Sequence, residues 1–321
     1  MQAIAQDRYG SADVLQLRDM AKPVPTEDQV LVRVQAAGVN ALDWHVMRGS
    51  PIVVRPMIGL RRPKPEVRGV DVAGRVEAVG SAVQDLRPGD EVFGWCAGAF
   101  AEYACARKDH FAAKPANLSI EQAAAVPLAG MTALQGLRDC GQLQAGQRVL
   151  IVGASGGVGS FAVQIAKAFG AHVTGVCSTA NVELVRSIGA DRVIDYTRQD
   201  PTTEGQRYDV IFELAGTTSA SAYRRALTPD GTLVLSSGAG GHWLGPIGRM
   251  IKAKAVARFA HERIVWLSTT ENQADLIVLK DLIEAGKVTP VMDRTYSLRE
   301  APEAIRYVDR GHTRGKTIIT V

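Results

Sequence analysis

The chain has 321 residues, 46% hydrophobic and 22% charged, an ordinary composition for a globular enzyme and long enough for two domains with cores of their own. Its net charge of +4 comes from scattered basic residues and gives no footprint for specific nucleic-acid binding. The four cysteines (Cys96, Cys105, Cys140, Cys177) have no paired spacing, so they read as reduced thiols of a cytoplasmic protein and not as a disulfide framework or a zinc site. Met1 to Gly10 lacks a signal-peptide pattern, and no apolar run is long enough to span a bilayer.

From Met1 to about Leu118 the pattern is β-rich. Residues 29–37 and 74–80 alternate apolar and polar, and Pro88-Gly89-Asp90 is a turn leading into Glu91-Val-Phe-Gly. Short alternating strands joined by such turns predict a twisted, partly closed antiparallel sheet. Residues 51–65, dense in Pro and Arg, predict a surface loop. At Ser119 the period becomes helical, with Ser119 as the cap and Glu121 one residue early for a capping box. Met131 to Cys140 continues in helical style.

The stretch from Arg148 to Gly170 organises the rest. Arg148 to Val152 is an apolar, β-branched run suited to a strand buried on both faces. Glycines 153, 156, 157 and 159 follow in the spacing G-x-x-G-G-x-G, and then Val158, Phe161, Ala162, Ile165 and Phe169 recur as on an amphipathic helix. A buried strand, a glycine turn and a helix N-terminus suit a dinucleotide pyrophosphate, which the backbone can approach closely. The residues offered are Gly153, Ser155, Gly156, Gly157 and Val158.

Strands are then predicted at 172–177, 192–195, 209–214 and 232–236, with a helix at 181–188, an alternation that implies a parallel sheet with both faces covered. Residues 244–263 carry Arg249, Lys252, Lys254, Arg258 and Arg263 among apolar residues. They read as an amphipathic helix at the edge of a cleft, the alternative being a basic lid that touches substrate, partner or membrane surface. Residues 273–285 and 302–310 predict helices, and 316–321 a last strand.

An NAD-specific site places an acid at the end of the second strand of such a sheet to bind the ribose hydroxyls. Ala171 to Val182 contains none. Ser178, Thr179 and Asn181 stand there instead and suit a 2′-phosphate, with Arg186 or Arg192 near enough in sequence to add charge, so the cofactor read here is NADPH.

The whole chain resembles the medium-chain dehydrogenase/reductase superfamily in its zinc-independent quinone oxidoreductase branch. The motifs are Gly38-Val-Asn-Ala-Leu-Asp-Trp, Gly69-Val-Asp-Val-Ala-Gly-Arg-Val, Leu86-Arg-Pro-Gly-Asp-Glu-Val-Phe-Gly, 123–132, the glycine turn and Glu284-Ala-Gly-Lys-Val. The C-terminal Arg310-Gly-His-Thr-Arg-Gly-Lys-Thr-Ile looks closest to the mitochondrial reticulon-4-interacting oxidoreductase subgroup. The resemblance implies an α/β protein: a GroES-like β-rich catalytic domain at 1–120, a Rossmann doubly wound parallel sheet binding NADPH at 121–285, and a return to the catalytic domain at 286–321. It places Tyr196 near the adenosine ribose and adds Leu214, Ser236, His312 and Arg314 to the cofactor-binding residues. Zinc relatives carry a cysteine ligand where Asn40 stands and Gly-His-Glu where Gly69-Val70-Asp71 stands, and their four-cysteine lobe has no counterpart here. The expected enzyme therefore uses no metal.

The activity implied is hydride transfer from NADPH to a quinone or to the β-carbon of an α,β-unsaturated carbonyl. Asn40 and Thr132 match family positions beside the nicotinamide. Asp43 and His45 are candidates for a proton relay, although Asp43 serves equally as a helix cap and His45 stands where many members carry Tyr. Other readings are an NADPH-binding protein with weak or no turnover, crystallin-like or RNA-binding, and a zinc-free alcohol-dehydrogenase-like reductase. The implied partners are a small-molecule quinone or enone and, in a homodimer, a second copy of the chain.

Overall fold

The computed structural model describes every residue except 53, 54, 65, 204, 216, 217 and 237–261. Most of the basic segment at 244–263 thus lies outside the described residues. Its strands, in chain order, begin with β1 (Gln2–Ala5), β2 (Gln16–Asp19), β3 (Gln29–Val39), β4 (Asp71–Val79), β5 (Glu91–Trp95), β6 (Tyr103–Arg107) and β7 (Phe111–Ala113). The middle of the chain supplies β8 (Arg148–Val152), β9 (His172–Cys177), β10 (Arg192–Asp195), β11 (Tyr208–Glu213), β12 (Leu227–Leu235) and β13 (Arg263–Trp266), and the tail β14 (Met292–Ser297) and β15 (Lys316–Thr320).

Two compact units result: Met1–Met131 with Thr270–Gly286 and Pro290–Val321, and Thr132–Thr269 with Lys287–Thr289. This division departs from the expected boundaries, because 121–131 and 270–285 pack with the first unit and 287–289 with the second. The helix Gln273–Glu284 explains why. Gln273 Nε2 donates to the Phe111 carbonyl (2.7 Å), Asn117 Nδ2 donates to that of Ile283 (2.8 Å), and Leu279 packs against the Cα of Gly130.

In the first unit one sheet runs β14-β15-β3-β4-β5-β7, with β6 also on β3, while β1 and β2 form a separate antiparallel pair. The alternation read in β3 is what seats it: Val30, Val32 and Val34 are buried, and Arg33 and Gln35 face out. The C-terminal strand β15 pairs antiparallel with β3, and Ile305 and Ile319 from the tail join Ile4, Val32, Val72 and Phe100 in one core. Ser119 caps the helix Ile120–Ala124 in a capping box closed by Gln122, the residue at the required spacing, and not by Glu121. The 51–65 stretch contains a short helix, Arg55–Ile58.

Among the described residues, the second unit is a six-stranded parallel sheet in the order β10-β9-β8-β11-β12-β13, a doubly wound Rossmann arrangement. Its last strand, β13, was not legible as one: Arg263 opens a strand where the sequence reading ended a helix, because its apolar run is only Ile264-Val-Trp. The helix Gly157–Ala168 is buried without interruption from Gly159 to Ala166, so it has no amphipathic stripe over that span. Its polar residues are internally satisfied. Gln164 Nε2 donates to the Ser160 and Thr289 carbonyls (2.9 and 3.0 Å), and its Oε1 accepts the Thr289 N–H (2.8 Å), which ties the Lys287–Thr289 segment to this unit.

Candidate cofactor and catalytic sites

In the second unit the chain winds outward from β8 through β9 to β10, then returns to β11 on the other side of β8. The strand order therefore reverses between β8 and β11, and ligands of open α/β sheets bind outside the carboxyl ends at such a point. The glycine turn sits there. Gly153 holds φ at +84°, a left-handed conformation that favours glycine. A Cβ at Gly159 would lie 2.1 Å from the Gly153 carbonyl oxygen and 2.8 Å from the Cα of Ala154, so that glycine lets helix and strand close on each other. Gly156 differs: its φ is −79°, and an added Cβ would meet only the Gly153 oxygen, at 3.4 Å. Packing does not require glycine at 156, whereas a pyrophosphate lying close against the turn would. Gly156 is the N-cap of Gly157–Ala168 and brings no capping side chain to compete with an anion.

The other expected residues of this unit lie at the same sheet end. Ser155 and Ser178 both accept from Asn181 Nδ2 (3.1 and 3.3 Å), knitting the turn after β8 to the one after β9. Tyr196, Leu214 and Ser236 directly follow β10, β11 and β12, and Tyr196 is 56% exposed. The reading of this edge as acid-free requires a correction at Thr179. Its hydroxyl donates to Asp195 Oδ2 (2.5 Å), so an acid does reach this edge, supplied by β10 and not by β9. Hydrogen bonds from Thr179, and then from Thr197, hold the Asp195 carboxyl below its usual range, outweighing the small effect of burial. Arg192 begins β10 and so lies at the opposite end of the strand, bonded to Gln206 (2.9 Å), while Arg186 is paired with Glu183 (2.7 Å). Neither is poised for a phosphate. His312 and Arg314 belong to the first unit, on the turn before β15, where the Arg314 N–H donates to Asp293 (2.9 Å).

Asn40, Asp43 and His45 belong to the first unit, at and inside the start of the helix Ala41–Arg48; Thr132 belongs to the second, its hydroxyl 3.0 Å from that of Thr269. In β3, Gly38 pairs with Ile318 of β15 on one side and Asp71 of β4 on the other, which brings three distant residues together just beyond. Lys316 Nζ donates to Asn40 Oδ1 (2.6 Å) and Asp71 Oδ2 (3.2 Å), and Asn40 Nδ2 donates to Asp71 Oδ2 (2.9 Å). Asp71 Oδ1 accepts the Leu128 N–H (2.9 Å) in the first turn of the helix Pro127–Gln135, where the helix dipole favours a negative charge. The Asp71 side chain is fully buried and that of Lys316 is 3% exposed. Neither was singled out from the sequence, although Asp71 lies in the quoted Gly-Val-Asp motif and Lys316 in the C-terminal Gly-Lys-Thr-Ile.

Asp43 adopts the capping role: its Oδ2 accepts the Asn40 N–H (2.7 Å) in a capping box. Burial pushes its pKa up to about 7 against the opposing Asn40 N–H, and the nearby Asp71 carboxylate adds to the rise. The Arg68 guanidinium also acts on it; Arg68 is 4% exposed, and its Nε and Nη2 have no hydrogen-bond partner among the described residues. His45 stacks on Trp44 (3.7 Å between ring centroids), and its Nδ1 lies 3.0 Å from the Ser50 carbonyl oxygen. A carbonyl only accepts, so Nδ1 carries the proton and Nε2 of the neutral ring is an acceptor. Burial lowers the pKa of His45, which opposes the imidazolium that a proton donor would need.

Residues 26–116 match the family model for the alcohol dehydrogenase GroES-like domain, and residues 188–319 that for zinc-binding dehydrogenases. The chain is 32% identical over 333 residues to the chloroplastic quinone-oxidoreductase homolog of Spinacia oleracea, covering 99% of this chain and 98% of that protein. It is 34% identical over 358 residues to the mitochondrial NAD(P)H oxidoreductase RTN4IP1 of Mus musculus, covering 100% and 89%. The chloroplastic NADPH-dependent alkenal/one oxidoreductase of Arabidopsis thaliana is 35% identical over 334 residues, covering 99% and 79%. Among solved structures, Escherichia coli quinone oxidoreductase complexed with NADPH superposes with a TM-score of 0.85 at 25% identity, covering all of both chains.

Proposed function

The chain belongs to the medium-chain dehydrogenase/reductase superfamily, in its quinone oxidoreductase branch, and from that premise we propose that it is an NADPH-dependent reductase of quinones or α,β-unsaturated carbonyl compounds. The observation that carries this reading is the glycine turn. A backbone cradle stands at the switch point of a doubly wound sheet, with one glycine, Gly156, that the protein's own packing does not require. NADPH supplies the hydride. The residues proposed to hold it are Gly153, Ser155, Gly156, Gly157 and Val158 at the pyrophosphate, with Ser178, Thr179, Asn181 and Tyr196 at the adenosine end. Leu214, Ser236, His312 and Arg314 complete the cofactor-binding set by family position, and Asn40 and Thr132 face the nicotinamide and the acceptor on the same ground.

We read the reaction as metal-independent. Where zinc relatives carry ligating Cys and His, this chain has Asn40 and Val70, the latter with no ligating atom, and the Lys316 ammonium is bonded to both Asn40 and the adjoining Asp71. An ammonium held there is incompatible with a dication at the same atoms. Among the described residues no group of three or more His, Cys, Asp and Glu side chains is placed to hold a metal. Asp43 holds the helix start, and the neutral His45 keeps its proton on Nδ1, so protonation of the reduced product is assigned to solvent.

The test is steady-state oxidation of NADPH and NADH with a panel of quinones, enones and enals after chelator treatment. Turnover with at least one of these acceptor classes and preference for NADPH are expected. A folded protein that binds NADPH and reduces none of them supports the rival reading of a cofactor-binding protein without turnover.

A further inference from the structure

A carboxamide presents two ends of similar shape and opposite hydrogen-bonding sense: an acceptor oxygen and a donor NH₂. At Asn40 each end meets a charge that accepts only one sense. The Lys316 ammonium, which can only donate, lies 2.6 Å from Oδ1; the Asp71 carboxylate, which can only accept, lies 2.9 Å from Nδ2. The second N–H is directed to the Gly38 carbonyl at 3.4 Å. Turning the amide over would set its NH₂ against the ammonium and its oxygen against the carboxylate, losing two charge-assisted hydrogen bonds. With both N–H groups committed, and Oδ1 also facing the Asp43 N–H in the capping box, Asn40 has no donor left and can offer a ligand only its Oδ1.

We propose that the buried Lys316–Asp71 ion pair positions Asn40 with a fixed polarity, so that toward a bound ligand Asn40 is a hydrogen-bond acceptor and never a donor. Its partner is then an O–H or N–H of the cofactor or substrate, and polarisation of the acceptor's carbonyl oxygen falls to another group. Lys316 and Asp71 are positioning residues. The inference rests on the reading above that Asn40 touches the bound reactants.

The Leu128 N–H supplies a way to invert the polarity. In a Lys316→Met, Asp71→Asn double variant, the new amide must turn its oxygen to Leu128, the partner of Asp71 Oδ1 (2.9 Å), so its NH₂ faces Asn40. Asn40 must then present its oxygen to that NH₂, reversing its orientation. Exchanging a buried ion pair for neutral groups of similar volume is often tolerated by a fold. The double variant is expected to melt cooperatively and bind NADPH, with quinone kcat/KM reduced at least about tenfold, whereas Lys316→Arg, which keeps the cation, retains more activity. Asn40→Ala is the control for the underlying reading: if its kcat/KM equals that of the wild type, Asn40 does not touch the reactants. If Asn40→Ala is impaired and the folded double variant keeps wild-type kcat/KM, the positioning role is overturned. Should the double variant not fold, exchange of the Asn40 carboxamide protons in the wild type decides, assigned by their loss in Asn40→Ala. The proton on Asp71 is expected to be strongly protected, and solvent-rate exchange of both protons overturns the inference.

Discussion

The glycine turn of the second unit and the Asn40 cluster of the first are polar sites built by opposite means. The turn uses consecutive residues, 153–159, and works through its backbone, since what matters is the absence of side-chain atoms. The cluster draws Asn40, Asp71 and Lys316 from positions 31, 245 and 276 residues apart and works through charged and amide side chains shut away from water. The first kind of site is sensitive to added volume, and the second to a lost partner. Substitutions that separate volume from charge test the contrast.

The largest effect is expected from Lys316→Met alone, which leaves the Asp71 carboxylate, 0% exposed, without its cation. Breaking a buried pair from one side costs roughly 3–5 kcal/mol, to be read from urea unfolding; a loss below about 1 kcal/mol would show that the cluster tolerates an unpaired charge.

The pH dependence should come from the same region. Asp43 has a folded pKa raised to about 7 from 3.8. A raised acid contributes stability that is fully present below the unfolded pKa and is lost as pH rises through the folded one, because the unfolded state releases the proton first. Wild-type stability relative to Asp43→Asn, which still offers an acceptor to the Asn40 N–H, should fall between about pH 4 and 7. Parallel urea curves for the two proteins over that range would remove Asp43 as the source.

In the glycine turn, Gly159→Ala forces a Cβ against backbone at 2.1 Å and should cost roughly 1–3 kcal/mol. Gly156→Ala should stay within about 0.5 kcal/mol of wild type while weakening NADPH at least about tenfold, measured by melting and fluorescence titration. Equal NADPH affinity in Gly156→Ala would place the pyrophosphate elsewhere.

The smallest effects concern the adenosine end. Ser178→Asp puts a carboxylate where a 2′-phosphate is proposed and should move the ratio of catalytic efficiencies toward NADH by about tenfold. Asp195→Asn removes the acid bonded to Thr179 and should move that ratio toward NADPH by a smaller factor. A ratio indifferent to both changes would mean that neither residue lies near the phosphate.

The sequence by itself determined the parts that are local. The run Arg148–Val152, the glycines after it and the strand His172–Cys177 stand in the structure where the pattern put them, because strand propensity and turn chemistry are written in neighbouring residues. The carry-over of family motifs pointed to Asn40, and the place of Asp43 three residues on made it a candidate as cap or relay. Tertiary structure alone decided what those side chains do. The sequence left Asp43 between capping and catalysis, and the closed bond to the Asn40 N–H made it a cap. An acid-free strand end acquired Asp195 from the neighbouring strand. Most of all, the register of β15 on β3 and of β3 on β4 set Lys316 and Asp71 against Asn40. No local period encodes a pairing across more than two hundred residues; the burial and charge that give those three groups their meaning exist only once the sheet has closed.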